Sequence, residues 1–333
     1  MTTTPLNRRR RLLTFLPALA LAAVASAPGA AAADDYPTRP IRLLVGYSAG
    51  GGVDGAARLL ANQLSQQLGQ PVVVENRAGA AGQIAADAVA KAAPDGYTLL
   101  LGESALMIAR ALLPAQSVDP LTAFTPVAGA FVSPLVIIAG NDFPARTPAE
   151  LIQELKRNPG KLSYATSGVG TVHHLGFEML KQETGTFVLH VPYRGAAQIV
   201  PDVISGQVPL GVVSVTAAVA QAKVGRVRAL AVMSRDPVAG AESVRPLADA
   251  LPGFDVAPRL FVLAPAGTPA PVAARLSAAV KIALDQPETA KAAEAQGTVR
   301  AFLDPGQLQQ AMQAENRRWS QLVRERKLSP DGG

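Results

Sequence analysis

Beyond residue 40 the chain keeps switching between two periods. Short aliphatic runs suited to buried strands alternate with stretches in which apolar residues recur every three or four positions. That alternation is the pattern of βαβ units, whose parallel strands must be covered by helices. The first unit is a strand over Ile41 to Val45, a Gly50-Gly51-Gly52 loop and a helix from about Val53 to Leu68. In that helix Ala57, Leu60, Leu64 and Leu68 share one face, and Gly69 supplies the stop. Val72 to Val74 reads as a strand, Ala80 to Ala92 as a helix of small residues, and Tyr97 to Leu101 as a third strand. A second series opens with a strand over Leu135 to Ala139. A capping box, Thr147-Pro148-Ala149-Glu150, follows it, with proline at the first helical position. Further strands are expected over 162–165, 187–190, 209–213, 229–233 and 260–264. Helices are expected over 171–183, over 196–205, from a Thr268-Pro269 cap to about 284, and over 305–326.

Two such series predict two α/β domains with mostly parallel sheets. The chain is expected to cross between them near residues 135–142 and again near 256–264. Residues 34–137 and 259–333 then form a discontinuous first domain, and 138–258 the second. One large single-sheet domain is the competing arrangement.

The first 33 residues stand apart. Arg8 to Arg11, an apolar run from Leu12 to Ala27 and the small residues Ala30 to Ala33 have the form of a secretory signal peptide cleaved near Ala33. An uncleaved membrane anchor is the alternative, although the apolar run is short for a span. The arginine cluster is also compatible with twin-arginine export. The chain has no cysteine, which excludes disulfides, a thiolate nucleophile and a zinc–thiolate site. Four of its 31 basic residues sit in the leader, so the remainder carries a charge of about +2 rather than +6. With no basic stripe interleaved with aromatics, nucleic acid is not an expected partner.

Two motifs suggest chemistry that their context weakens. Gly46-Tyr47-Ser48-Ala49-Gly50 fits the GxSxG pattern of a hydrolase elbow, making an exported serine hydrolase using Ser48 one reading. An elbow normally follows several strands, and only one precedes Ser48. Gly50, Gly52 and Gly55 fit GxGxxG, with Glu75 twenty residues on, as in dinucleotide-binding units. Asp54 would then place a carboxylate beside the pyrophosphate, and the loop before the first glycine is too long for the tight turn. His173 and His174 are neighbours and lack the i, i+4 spacing of a helical metal pair, so no metal is expected. What remains is anion binding by main-chain N–H groups where a glycine-rich loop opens a helix. Three loops qualify: 46–52, Ser167-Gly168-Val169-Gly170-Thr171, and Pro192-Tyr193-Arg194-Gly195-Ala196. Turn-making alone would explain the same glycines.

The stretches YPTRPIRLLV (36–45), GGGVDGAAR (50–58), VVVENRAGAAG (72–82), PDGYTLL (94–100), SGVGTVHHL (167–175), HVPYRGAAQ (190–198), GQV (206–208) and LAPAGTP (263–269) occur together and in order. In these the chain resembles the periplasmic solute-binding receptors of tripartite tricarboxylate transporters, the Bug proteins of β-proteobacteria, from Tyr36 to about Lys327. The resemblance implies an α/β fold of the type II periplasmic-binding-protein kind: two α/β domains joined by a two-strand hinge, with a ligand cleft between them. It implies a monomer in the periplasm that is not an enzyme and has no cofactor. Such a receptor holds a small carboxylate, an organic acid or amino acid, through main-chain amides and ordered waters, and serves membrane permease subunits. A solute sensor without its own permease is the alternative. Carried over by position, Tyr47, Ala49, Gly50 and Asp54 line the first domain's side of the cleft. Ser167, Gly170, Thr171, His174, Tyr193 and Ala196 line the second. The sequence departs from the family where Gly46 replaces proline, Tyr47 phenylalanine, Ala78 proline and Arg259 tryptophan, and where 236–246 lacks the usual turn. Tyr47 is expected to add a hydroxyl at the mouth, and Arg259, if it faces the cleft, a positive charge, which together favour a ligand with more than one carboxylate or polar end.

Overall fold

A computed structural model describes residues 35–113, 115, 117–193 and 198–330; the expected signal peptide lies outside them. The chain first lays down β1 (Ile41–Val45), α1 (Gly52–Leu68), β2 (Val72–Asn76), α2 (Gln83–Ala90), β3 (Thr98–Glu103), α3 (Ala105–Leu112) and β4 (Phe124–Val132). It continues with β5 (Leu135–Ala139), α4 (Pro148–Arg157), β6 (Ser163–Thr166), α5 (Val172–Thr184), β7 (Leu189–Pro192), α6 (Ile199–Ile204), β8 (Leu210–Ser214), α7 (Val215–Lys223) and β9 (Arg228–Val232). It closes with β10 (Arg259–Pro265), α8 (Ala270–Asp285), α9 (Pro287–Ala295), β11 (Val299–Leu303) and α10 (Pro305–Glu325).

These strands form two sheets, ordered β11-β4-β10-β3-β1-β2 and β7-β6-β8-β5-β9, each the centre of an α/β domain. Both sheets are mixed rather than mostly parallel. Strands joined by a helical crossover run parallel: β2, β1 and β3 in one sheet, β7, β6 and β8 in the other. Strands delivered by a passage between sheets enter from the opposite end. Thus β10 is antiparallel to β3 and β4, and β5 to β8 and β9. All of β5 pairs within the second sheet, so the first passage falls at Ser133 and Pro134. There Ser133 N donates to Pro258 O at 2.8 Å, which ties the outgoing segment to the returning one.

Local chemistry explains the element ends. Ala56, Ala57, Leu60, Ala61, Leu64 and Leu68 make the buried stripe of α1, and Gly69 ends it in the left-handed region at φ 67°. Thr147 Oγ1 accepts from Glu150 N at 3.2 Å, while Glu150 reaches back to Arg146 N at 2.7 Å, one residue beyond the expected box. Thr268 does not cap α8: its hydroxyl donates to Pro265 O at 2.8 Å, and Pro269 takes the cap position. A full capping box, Asp304 with Gln307, opens α10. The helix expected over 80–92 begins instead as a tight turn at Ala80–Gly82, with α2 starting at Gln83. The turn is pressed against Gly46, where any Cβ would come within 2.4 Å of Gly82 Cα.

Candidate functional site

The site loops sit at the carboxyl ends of parallel strands, where α/β sheets leave helix N-termini exposed. In the first sheet, β1 runs into the loop 46–51. Gly51 caps α1 without a side chain, and Ser48 to Gly52 are exposed. Asp54 is buried beneath this loop and builds it. Its Oδ2 accepts from Gly50 N and Arg58 Nε, both at 2.9 Å, and its Oδ1 accepts from Asn76 Nδ2 at 2.8 Å. Asn76 also donates to Tyr47 O at 3.0 Å. The Arg58 hydrogen bond, with those from Gly50 and Asn76, holds the Asp54 carboxyl down at about 2. Asp54 is therefore a charged brace. Tyr47 points inward rather than adding a hydroxyl at the mouth: its Oη donates to the buried Glu103 at the end of β3. Ala49 and Gly50 remain on the exposed surface of the loop.

In the second sheet, β6 runs into 167–171 and α5. Thr171 caps the helix, accepting from His174 N at 3.3 Å and donating to Gly168 O at 2.8 Å. Gly170 is buried with φ 79° and donates weakly to His174 Nδ1 at 3.4 Å. His174 stacks on His190 with ring centroids 4.0 Å apart, and His190 Nε2 lies 2.7 Å from Thr166 Oγ1. Burial lowers both imidazoles, His174 to about 4 and His190 to about 3, so both are neutral at pH 7. They support the loop from below. Tyr193 donates to Asp202 Oδ2 at 2.5 Å, a bond that pushes its phenol up to about 12. Ser167 is half-buried at the start of the loop. Ala196 lies outside the described residues.

The two loops are linked through the turn at 80–82. Ala81 and Gly82 pack against Gly46 and Tyr47 on one side. On the other, Ala80, Ala81 and Gln83 share a cavity of about 220 Å³ with Leu112, Val169 and Gly170. A further helix N-terminus, absent from the sequence reading, meets the other domain: Ser214 caps α7 by accepting from Ala217 N at 3.4 Å. A serine closing an aliphatic run before a helix was the available signal.

The competing motifs gain no supporting contact among the described residues. Ser48 is not among the residues with positive φ, and each hydrogen bond or ring contact made by His174 and His190 leads elsewhere than Ser48. Glu75 is held by Arg42 through bonds of 2.6 and 2.8 Å. Among the described residues no group of three His, Asp or Glu side chains is placed to hold a metal. Arg259, whose positive charge was expected only if it faces the cleft, has Glu315 on α10 as its ion-pair partner, at 3.7 Å.

Comparison with known proteins gives this geometry its context. The chain is 35% identical over 318 residues to protein BugT of Bordetella pertussis, covering 95% of this chain and 97% of the other. Among solved structures it is similar to R. palustris Rpa4515 with adipate, at TM-score 0.78 and 32% identity over 87% of this chain and 98% of that one. MatC from Rhodopseudomonas palustris with bound malate matches at TM-score 0.74 and 32% identity, over 86% and 100%. Residues 56–328 match the family described as the tripartite tricarboxylate transporter family receptor, and the chain belongs to that family.

Proposed function

We propose that this chain is an exported periplasmic receptor that binds a small carboxylate-bearing solute, an organic acid or amino acid, in the cleft between its domains. It then presents that solute to the permease subunits of a tripartite tricarboxylate transporter, without turnover and without cofactor or metal. The carrying observation is the exposed start of α1. Gly51 offers no capping side chain, and the amides of Gly52 and Val53 have no acceptor among the described residues. Such a terminus is a ready anion site. Across the cleft, the loop ending at Thr171 supplies the second set of donors. We assign direct contact to the amides of Gly52 and Val53 and, beside them, to Ala49, Gly50, Ser167, Thr171 and Ala196. Tyr47, Asp54, Gly170, His174 and Tyr193 shape the loops. Each charge-assisted hydrogen bond contributes about 1.5–3 kcal/mol, so a few support a micromolar dissociation constant, about 8 kcal/mol. The relatives solved with malate and adipate support this ligand class.

The domains expected as residues 34–137 with 259–333 and residues 138–258 are taken with the first boundary drawn back to 133/134, because all of β5 pairs in the second sheet; the leader is cleaved near Ala33 and the mature chain is monomeric. Thermal melts of the purified protein against malate, adipate, monocarboxylates and amino acids test the reading. A cognate ligand at a hundred times its dissociation constant adds about 2.7 kcal/mol, with no product formed. A panel without any saturable shift, or release of product, would sink the proposal.

A further inference from the structure

On the hinge side of the molecule lies a second cavity of about 410 Å³, whose lining includes none of the residues of the loops 46–52, 80–82 and 167–171. Its walls come from both sides of the passage between sheets: Val132, Arg259, Glu315 and Arg318 with the first, Pro134 and the segment 234–238 with the second. Its charged groups balance, with three guanidiniums from Arg235, Arg259 and Arg318 and three carboxylates from Asp236, Asp255 and Glu315. Folding leaves several of these groups unsatisfied. The Arg259 guanidinium comes no closer than 3.7 Å to Glu315, and neither Arg259 Nε nor Glu315 Oε2 has a hydrogen-bond partner although both atoms are buried. Arg318 donates only to Asp255 O, at 2.9 Å, and Asp255 Oδ1 accepts from Arg235 N at 3.0 Å. Arg259 Nε and Glu315 Oε2 are closed to the cavity, so what a guest can meet is the remaining exposed part of each side chain, 26% of Arg259 and 19% of Glu315, together with Asp255. The volume falls in the usual range for small-molecule sites, and Val132, Val238 and Ala314 supply an apolar wall.

We infer that this cavity is a second binding site, for a small zwitterion of the aliphatic α-amino-acid class. Its carboxylate meets the Arg259 guanidinium, its ammonium faces Asp255 and Glu315, and its side chain lies on Val132, Val238 and Ala314. A plain anion would meet three carboxylates and a plain amine three guanidiniums, so the balance itself selects against both. Because the walls belong to both sides of the hinge, an occupant that fits one domain angle better than another shifts the affinity of the cleft, and the cleft ligand shifts its affinity in return.

Calorimetry with L-leucine, 4-methylpentanoate and 3-methylbutylamine tests this on the parent protein and three variants. Ala314→Phe fills the cavity from an exposed position on α10. Arg259→Gln removes the guanidinium. Ala49→Trp obstructs the cleft loop and leaves the hinge untouched. L-leucine is expected to bind the parent saturably, and Ala49→Trp to leave its dissociation constant within about twofold. Ala314→Phe and Arg259→Gln are each expected to weaken it by about tenfold or more, and each one-charge analogue to bind at least about tenfold more weakly. If Arg259→Gln fails to fold, Ala314→Phe decides alone. The inference is overturned by absence of saturable leucine binding, which leaves the cavity to water. It is equally overturned by binding lost in Ala49→Trp and kept in Ala314→Phe, which places leucine in the cleft, or by 4-methylpentanoate binding as tightly as leucine.

Discussion

Glu103 is the residue whose protonation most directly touches the proposed site, because it anchors the inward-turned Tyr47. Burial pushes its carboxyl up to about 7; the Tyr47 hydrogen bond opposes that rise, and the nearby Glu315 adds to it. The folded state thus holds this proton more tightly than the unfolded chain does. The resulting stability is complete below the ordinary value of 4.5 and is lost as pH rises through about 7. Glu103→Gln should remove that slope. Its melting temperature is expected to vary less than the parent's between about pH 4.5 and 7, and at pH 8 the variant should be the more stable by about 1–3 kcal/mol. Parallel pH profiles in the two proteins would refute the assignment. The histidine pair has the opposite sign: its lowered values make stability present above 6.5 and lost as pH falls through about 4 and then 3, so the variant should keep an acid limb. At this scale the sequence was legible only where a residue's role is local. Thr171 beginning a helix could be read from its neighbours. The brace formed by Asp54, Arg58 and Asn76 joins residues from α1 and β2, and Glu103 belongs to no motif, so neither role could be read. For Arg259 the sequence left open whether it faces the cleft, because its partner Glu315 comes from α10, far along the chain.

The elements best read in advance were those whose signal is continuous: β1, β5 and the striped face of α1. β4 was missed because Pro126 and Gly129 interrupt it, and the strand accommodates them through register shifts against β10 and β11. α3 follows β3 after a single residue, and β11 is short and partly exposed, so neither shows a period of its own. The start of α1 carries the functional proposal, and it can be altered without disturbing the helix. Gly52 is the first helical residue, has open space where a Cβ would stand, and follows Gly51 in an extended conformation that proline tolerates in its predecessor. Proline at this position forfeits no intrahelical hydrogen bond. Gly52→Pro should therefore melt at or slightly above the parent temperature while losing one donor to the ligand. The expected result by calorimetry is a dissociation constant about ten- to a hundredfold weaker, matching the roughly 1.5–3 kcal/mol of a charge-assisted bond. Unchanged affinity in a fully folded variant would remove α1 from the site.

Across the whole molecule, the two faces of the interdomain gap are unlike. On the face carrying α3, α5 and α10 the apolar core is continuous: Leu100, Phe261, Met312 and Trp319 of the first domain belong to one cluster with Tyr164, Phe177 and Phe254 of the second. Arg326, just beyond α10, reinforces it by donating to Glu178 on α5 at 3.1 Å. On the opposite face the cores of α1 with α8 and of α6 with α7 are separate clusters. There α7 and α9 border a space of about 540 Å³ and approach at Gly297 and Thr216. A continuous core resists separation and a narrow contact does not, so opening should proceed about the α10 side, with the α7–α9 edge travelling furthest. The chain's lack of cysteine makes this testable with a single engineered bond. A Cβ built at Gly297 stands 3.5 Å from Thr216 Cβ, at the lower edge of the range that disulfides span. In the double variant Gly297→Cys with Thr216→Cys, oxidation should pin the moving edge. Ligand association measured by stopped flow should slow by about tenfold or more and recover on reduction. Comparing the oxidised and reduced forms of one protein cancels the cost of a side chain at φ 65°. If the oxidised form takes up ligand as fast as the reduced one, the solute enters without domain movement, and the unlike faces of the gap have no part in admitting it.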